Sequence, residues 1–242
     1  MKFLVNLIIC LSLFRCSTGF DSRKLVYNTS DSAYYLLEKD QFPNKKLVSG
    51  AFLHPFTMDE SKIMDILGNL KVKKKNSFGE TSIYIFSLGE LKLISRDLSQ
   101  LFGNLKEKEG AVFISKFDDI KSVLSTYKRT TGLIWVDSNG LNLLFGEIKS
   151  ALPRDYKSFF DWTNIRPISM NVVADENEIE EDSFFQFNTV SGFKNRKWLI
   201  FKLDDLSKYK FQERLETRKL TRDEETSRLP KSEAIIKNSE TK

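Results

Sequence analysis

The sequence predicts an α/β fold, with α+β also possible: a single mixed sheet of about six or seven strands carrying two amphipathic helices. Two observations predict it. A strand followed by a capped amphipathic helix occurs twice, about thirty residues apart, which is how helices come to cover a sheet. Further on, Asn139-Gly140 sits between two apolar runs, the strongest short-range hairpin cue because both residue types tolerate positive φ.

The first extended run is Leu47 to Phe56 (LVSGAFLHPF), closed by Thr57 with Glu60 three residues on, a capping-box spacing that satisfies free N–H groups at a helix start. A helix is expected from Met58 to Leu70, with Ile63, Ile66, Leu67 and Leu70 on one stripe. Ser82 to Phe86 reads as a strand, and Ser87 with Glu90 forms a second capping box. The helix it opens, Leu88 to Leu105, places Leu91, Ile94, Leu98, Leu101, Phe102 and Leu105 at spacings of three and four. Gly110 to Phe117 is a third strand. Leu133 to Val136 and Leu141 to Phe145 flank the hairpin turn, and Phe184 to Val190 and Arg196 to Leu203 complete the sheet around Gly192. Tyr156 to Trp162 is expected as a short aromatic helix or turn, and Asp175 to Asp182 as a solvated acidic loop.

The ends differ from this body. Met1-Lys2 precede an apolar run from Phe3 to Phe14, which as a helix spans roughly 18 Å, short of the hydrocarbon thickness of about 30 Å. Residues 1–19 are therefore read as a signal peptide. Three outcomes stay open: cleavage after Gly19 with small residues at Ser17 and Gly19, lipidation of Cys16, or an uncleaved anchor. Phe14 and Arg15 stand where a lipobox carries small residues, and Leu13 fits its −3 position. Residues 20–46 are expected to be a tether, 47–205 a single α/β domain, and 206–242 a charged tail. From Asp204 onward ten basic and nine acidic residues stand among 39, a composition that yields a polar helix or disorder rather than a core.

Composition narrows the chemistry. A hydrophobic fraction of 40% with 29% charged residues suits a globular body that buries its core without staples. The only cysteines are Cys10 and Cys16, so the body forms no internal disulfide. Removing Lys2 and Arg15 lowers the formal charge from +5 to +3, weak attraction for a polyanion, and no nucleic-acid partner is expected. Lys71 to Lys75 (KVKKK) with Lys45-Lys46 reads as a basic surface loop, or as a patch facing an anionic membrane.

Candidate site residues are few. His54 is the sole histidine, so any imidazole mechanism must use it, and neither a GxSxG elbow nor a body cysteine accompanies it. One histidine makes a poor zinc set, and the acidic run lacks the spacing and glycine of a calcium loop, so no metal is expected. Phosphate-binding glycine loops are missing and no cofactor is expected. Asp118 with Asp119, and Asp155 with Asp161, are the carboxylate pairs a glycosidase would need, with nothing in their spacing to single them out. Trp135, Asp137 and Asn142 in the hairpin give the richest mixture of group types and are the binding candidates, beside His54-Pro55.

The stretch from Gly50 to Ile148 resembles an uncharacterised family of bacterial exported proteins and lipoproteins. The resemblance rests on Gly50-Ala51-Phe52-Leu53-His54-Pro55, Ile85-Phe86-Ser87, and Thr131 to Val136 running into Gly140 to Gly146. The signal segment and the Lys-, Phe- and Asn-rich composition are similar to spirochaete-type envelope lipoproteins. This implies a membrane-anchored protein of the cell envelope, on its periplasmic or outer-membrane face, or a secreted or periplasmic soluble one. The expected activity is a non-enzymatic binding or assembly module whose partner is another envelope protein. The alternatives are an exported hydrolase acting on envelope glycan or lipid, and a surface adhesin.

Overall fold

A computed structural model describes residues 19–48, 50–76, 79–117, 127–152, 161–172, 177–212 and 214. The strands are β1 (Lys24–Asn28), β2 (Ser32–Glu38), β3 (Lys71–Asn76), β4 (Gly79–Tyr84), β5 (Glu109–Phe117) and β6 (Lys128–Asp137). They continue with β7 (Gly140–Phe145), β8 (Ser150–Ala151), β9 (Asn177–Ile179), β10 (Gln186–Val190) and β11 (Phe193–Phe201). The helices are α1 (Glu60–Leu67) and α2 (Leu88–Phe102). The main sheet has eight strands in the order β1-β2-β5-β6-β7-β11-β10, with β8 pairing β6. A second sheet of three runs β4-β3-β9. The expected α/β body of one large sheet and two helices is thus present. Its pairings are antiparallel rather than mixed.

The central strands explain the core. From Gly110 to Lys116 in β5, and throughout β7, every residue is buried. A strand enclosed on both faces reads as an apolar run instead of an alternation. One face meets α1 and α2 through Phe113, Ile134, Leu143, Phe145 and Leu199. The opposite face, with Val112, Leu133, Trp135, Leu144 and Trp198, is covered by irregular chain bearing Phe42, Phe52, Ile165, Ile168 and Met170. Each such fully buried large apolar side chain contributes about 1.5–3 kcal/mol relative to exposure.

Helix α2 follows its sequence signal. Ser87 accepts from the Glu90 N–H and Glu90 reaches back to the Ser87 N–H, while Leu91, Ile94, Leu98, Leu101 and Phe102 are buried. Helix α1 is shorter than expected. Asp59, not Thr57, is its N-cap, no side chain caps it, and it stops at Gly68. The Phe211 ring fills the place a Cβ at Gly68 would take. The expected extended run at 47–56 reduces to a single bridge between Phe52 and Asp137.

Three expectations about polar segments are overturned. Residues 20–46 are not a tether: β2 pairs with β5 along its whole length, and its Ala33, Tyr34 and Leu37 are buried. Phe20 is buried as well, with the Arg23 guanidinium over its ring. The lysine run 71–75 lies within β3 rather than a loop. Val72 points into the core with Ile179, while Lys73 lies opposite Glu178, a cross-strand pairing of opposite charge. The acidic run supplies β9, and Arg196 reaches Glu178 at 3.3 Å and Glu181 at 3.7 Å.

The chain divides into a unit ending at Gln212 and a second, Glu213–Lys242. The first runs past the expected domain end at 205. Leu206 and Tyr209 are buried, and the Phe211 N–H donates to Asp65 at 2.8 Å. Residues 1–18, which carry the expected signal segment and Cys16, most of 156–162, the pair 118–119, Asp155, and nearly all of 213–242 lie outside the described residues.

Candidate binding cleft

The β6–β7 hairpin gathers the residues nominated from the sequence, and buries them. Trp135, Asp137 and Asn142 are all 2% exposed or less. The Trp135 indole N–H donates to Asp137 Oδ2 at 3.1 Å, and the Asn139 N–H donates to Oδ1 of the same carboxylate at 2.8 Å. The Trp198 indole N–H donates to Asn142 Oδ1 at 3.0 Å, and Asn142 Nδ2 donates to the Gly140 carbonyl at 3.1 Å. The two indoles meet edge-on at 5.4 Å. These groups hold the hairpin end and present nothing to a ligand.

The turn itself is Ser138-Asn139, because Asp137 and Gly140 are the last register pair. Only Gly140 has positive φ, at 138°. A Cβ there would strike the Phe201 carbonyl of β11, so glycine is required by the approach of a third strand as well as by the turn.

His54 lies at the same end of the sheet, 4% exposed, with its ring stacked on Phe102 at 5.8 Å and edge-on to Phe52 at 6.1 Å. The Val136 N–H donates to its Nε2 at 3.2 Å. The proton of the neutral ring therefore sits on Nδ1, which is buried without a partner. Burial pulls the imidazole pKa down to about 4, so the ring stays neutral near pH 7. A base whose lone pair is already occupied by a backbone amide is held in a structural role. Asp161, from one of the carboxylate pairs, accepts from the Thr163 N–H at 2.9 Å and from the Thr163 hydroxyl at 2.6 Å. Among the described residues no group of three or more His, Cys, Asp or Glu is placed to hold a metal, and no helix is long and apolar enough to cross a membrane.

An open site lies elsewhere, between β1 and α2, as a cleft of about 500 Å³. Its β wall is Val26 and Tyr27, 49% and 44% exposed, on a strand that among the described residues pairs only with β2. Its floor is Tyr34 and Leu101, and its opposite wall carries Arg96, Asp97 and Gln100 of α2 with Asn104 just beyond the helix end. Tyr34 is 2% exposed and stacks under Tyr27 at 6.1 Å, with its enclosed hydroxyl beside Ser32 and Asp97. Burial, reinforced by the nearby Asp97 charge, raises the phenol pKa, so the group stays a neutral phenol near pH 7. Arg96 pairs with Asp97 at 3.0 Å, which leaves the helix wall electrically balanced.

Backbone geometry aims the β wall. Consecutive residues of a regular strand point to opposite faces, but the β1–β2 register slips between Leu25 and Tyr27. This bulge sets both Val26 and Tyr27 toward the cleft. Sequence reasoning missed the site because it passed over the hairpin signal in Leu25-Val26-Tyr27, Asn28 to Asp31, and Ala33 to Leu37. Thr29 closes that turn, its hydroxyl oxygen accepting from the Ser32 N–H at 2.9 Å. No family model, curated protein or solved structure matches the chain.

Proposed function

We propose that this chain is a cell-envelope binding or assembly module of a bacterial exported-protein type, held at a membrane through its N-terminal segment and acting on another envelope protein. The observation that carries the reading is the contrast between the two regions. The chemically richest residues, His54, Trp135, Asp137 and Asn142, are buried and used by the fold, whereas Leu25, Val26 and Tyr27 of the β1 edge stand exposed beside an open cleft. An apolar edge strand open to solvent is a surface that soluble proteins ordinarily blunt or cover.

Two measurements test this. Mass spectrometry of the mature protein is expected to find an acylated peptide beginning at Cys16; an unmodified terminus at Phe20 would remove the lipid anchor from the proposal. Crosslinking of intact cells is expected to join the protein to a specific envelope protein. Recovery of the uncrosslinked chain alone, across crosslinkers of several lengths, would oppose the binding role.

A further inference from the structure

We infer that the groove between β1 and α2 takes an extended, uncharged segment of the partner protein, which adds to the sheet as a strand beyond β1. The inference rests on the binding-module reading and names what is bound and where. Three features select an extended chain over other occupants. Among the described residues no strand lies beyond β1, so the N–H and C=O groups on its outer side would be matched by another backbone running beside it. The groove lies between an edge strand and a helix, so side chains on one side of an added strand fall against α2. The bulge at Val26 turns two successive β1 side chains toward that space, widening the apolar wall at its centre.

The chemistry of the groove selects the side chains. Arg96 and Asp97 satisfy one another, so a charged residue entering would lose water without gaining a free counter-charge. Gln100 and Asn104 instead suit a neutral group that both donates and accepts, such as a Gln, Asn, Ser or Thr side chain. On the sheet's other side, Leu25, half exposed, suits an apolar residue at the alternate positions. With β1 five residues long, the matching segment is about five or six residues, or roughly 17–20 Å of strand.

The test places a photo-crosslinking p-benzoylphenylalanine at Leu25 in the full-length chain in its native cells, with the same residue at the exposed Phe193 as the comparison site. The expected result is an adduct from position 25 whose mapped contact lies in a neutral, alternating segment of the partner. Val26→Lys should lower its yield at least tenfold with the thermal midpoint unchanged. A synthetic peptide copying the mapped segment should shift backbone amide resonances in 24–28 and 96–104, and bind several-fold more weakly to Gln100→Ala. Contact mapped to a helical or charged segment, to a second copy of this chain, or to a glycan overturns the inference. Adducts from Phe193 alone overturn it while leaving the binding module standing, and absence of adducts from both sites removes both.

Discussion

Protonation of His54 should destabilise the fold over a defined pH window. The imidazole titrates near 6.5 in an unfolded chain, and burial lowers its pKa to about 4 in the folded one. A lowered pKa means that the unfolded state binds the extra proton first, so stability falls as pH drops from about 6.5 toward 4. Above that window the contribution is fully present. The full effect is about 3 kcal/mol, and at pH 5.5 it is about 1.4 kcal/mol. The structural cause is twofold: a charge would enter a site walled by Phe52 and Phe102, and a protonated Nε2 cannot accept from the Val136 N–H. Urea unfolding at pH 7.5, 6.5, 5.5 and 5.0 should show this loss in the wild type. His54→Gln, which keeps an acceptor and cannot titrate, should lack the His54 share of the slope. Because His54 is the only histidine, subtracting the two curves cancels the carboxylates and isolates it. Parallel curves for the two proteins would refute the reasoning.

Other perturbations follow from particular contacts. Gly140→Ala strains a residue at φ 138° and drives a methyl into the Phe201 carbonyl; a loss of about 2–4 kcal/mol is expected by chemical denaturation. Asn142→Leu strands the buried Trp198 indole N–H, at a cost of about 1–3 kcal/mol, and should lower the urea midpoint without altering the m-value. Leu37→Ala removes a wholly buried side chain from β2 and should cost about 2–5 kcal/mol; an effect near zero would restore the tether. Truncation after Asp205 deletes the buried Leu206 and Tyr209 and should lower the thermal midpoint well below that of a chain ending at Gln212.

The sequence made some elements legible because their cues were local. The α2 stripe, its Ser87–Glu90 box and the β6–β7 hairpin depend on neighbours within a few residues, and all three formed. The Asn-Gly cue found the hairpin for a partly mistaken reason, since the glycine serves the approach of β11 as much as the turn. Polar segments were misread wherever a distant partner decided them. Lys71 to Asn76 becomes a strand by pairing with β4 and with Asn177 to Ile179, a hundred residues away in the chain. β2 is fixed by β5, across more than seventy residues. The cleft joins residues near 27 with residues near 100, and no spacing rule on the chain encodes that meeting. The hairpin residues were chosen for their variety of polar groups, but that variety serves mutual satisfaction in a buried strand end.

Burial of Phe20 also sets a mechanical limit. Four residue steps separate Cys16 from Phe20, at most about 14 Å of extended chain. With acyl chains on Cys16, the leash would be shorter than the width of the domain it holds, so the body would ride directly on the lipid headgroups instead of swinging above them. The β1 edge, beginning four residues after Phe20, would then sweep a thin layer next to the bilayer. Its capture range would cover structures rooted in the same leaflet and miss those that stand farther out.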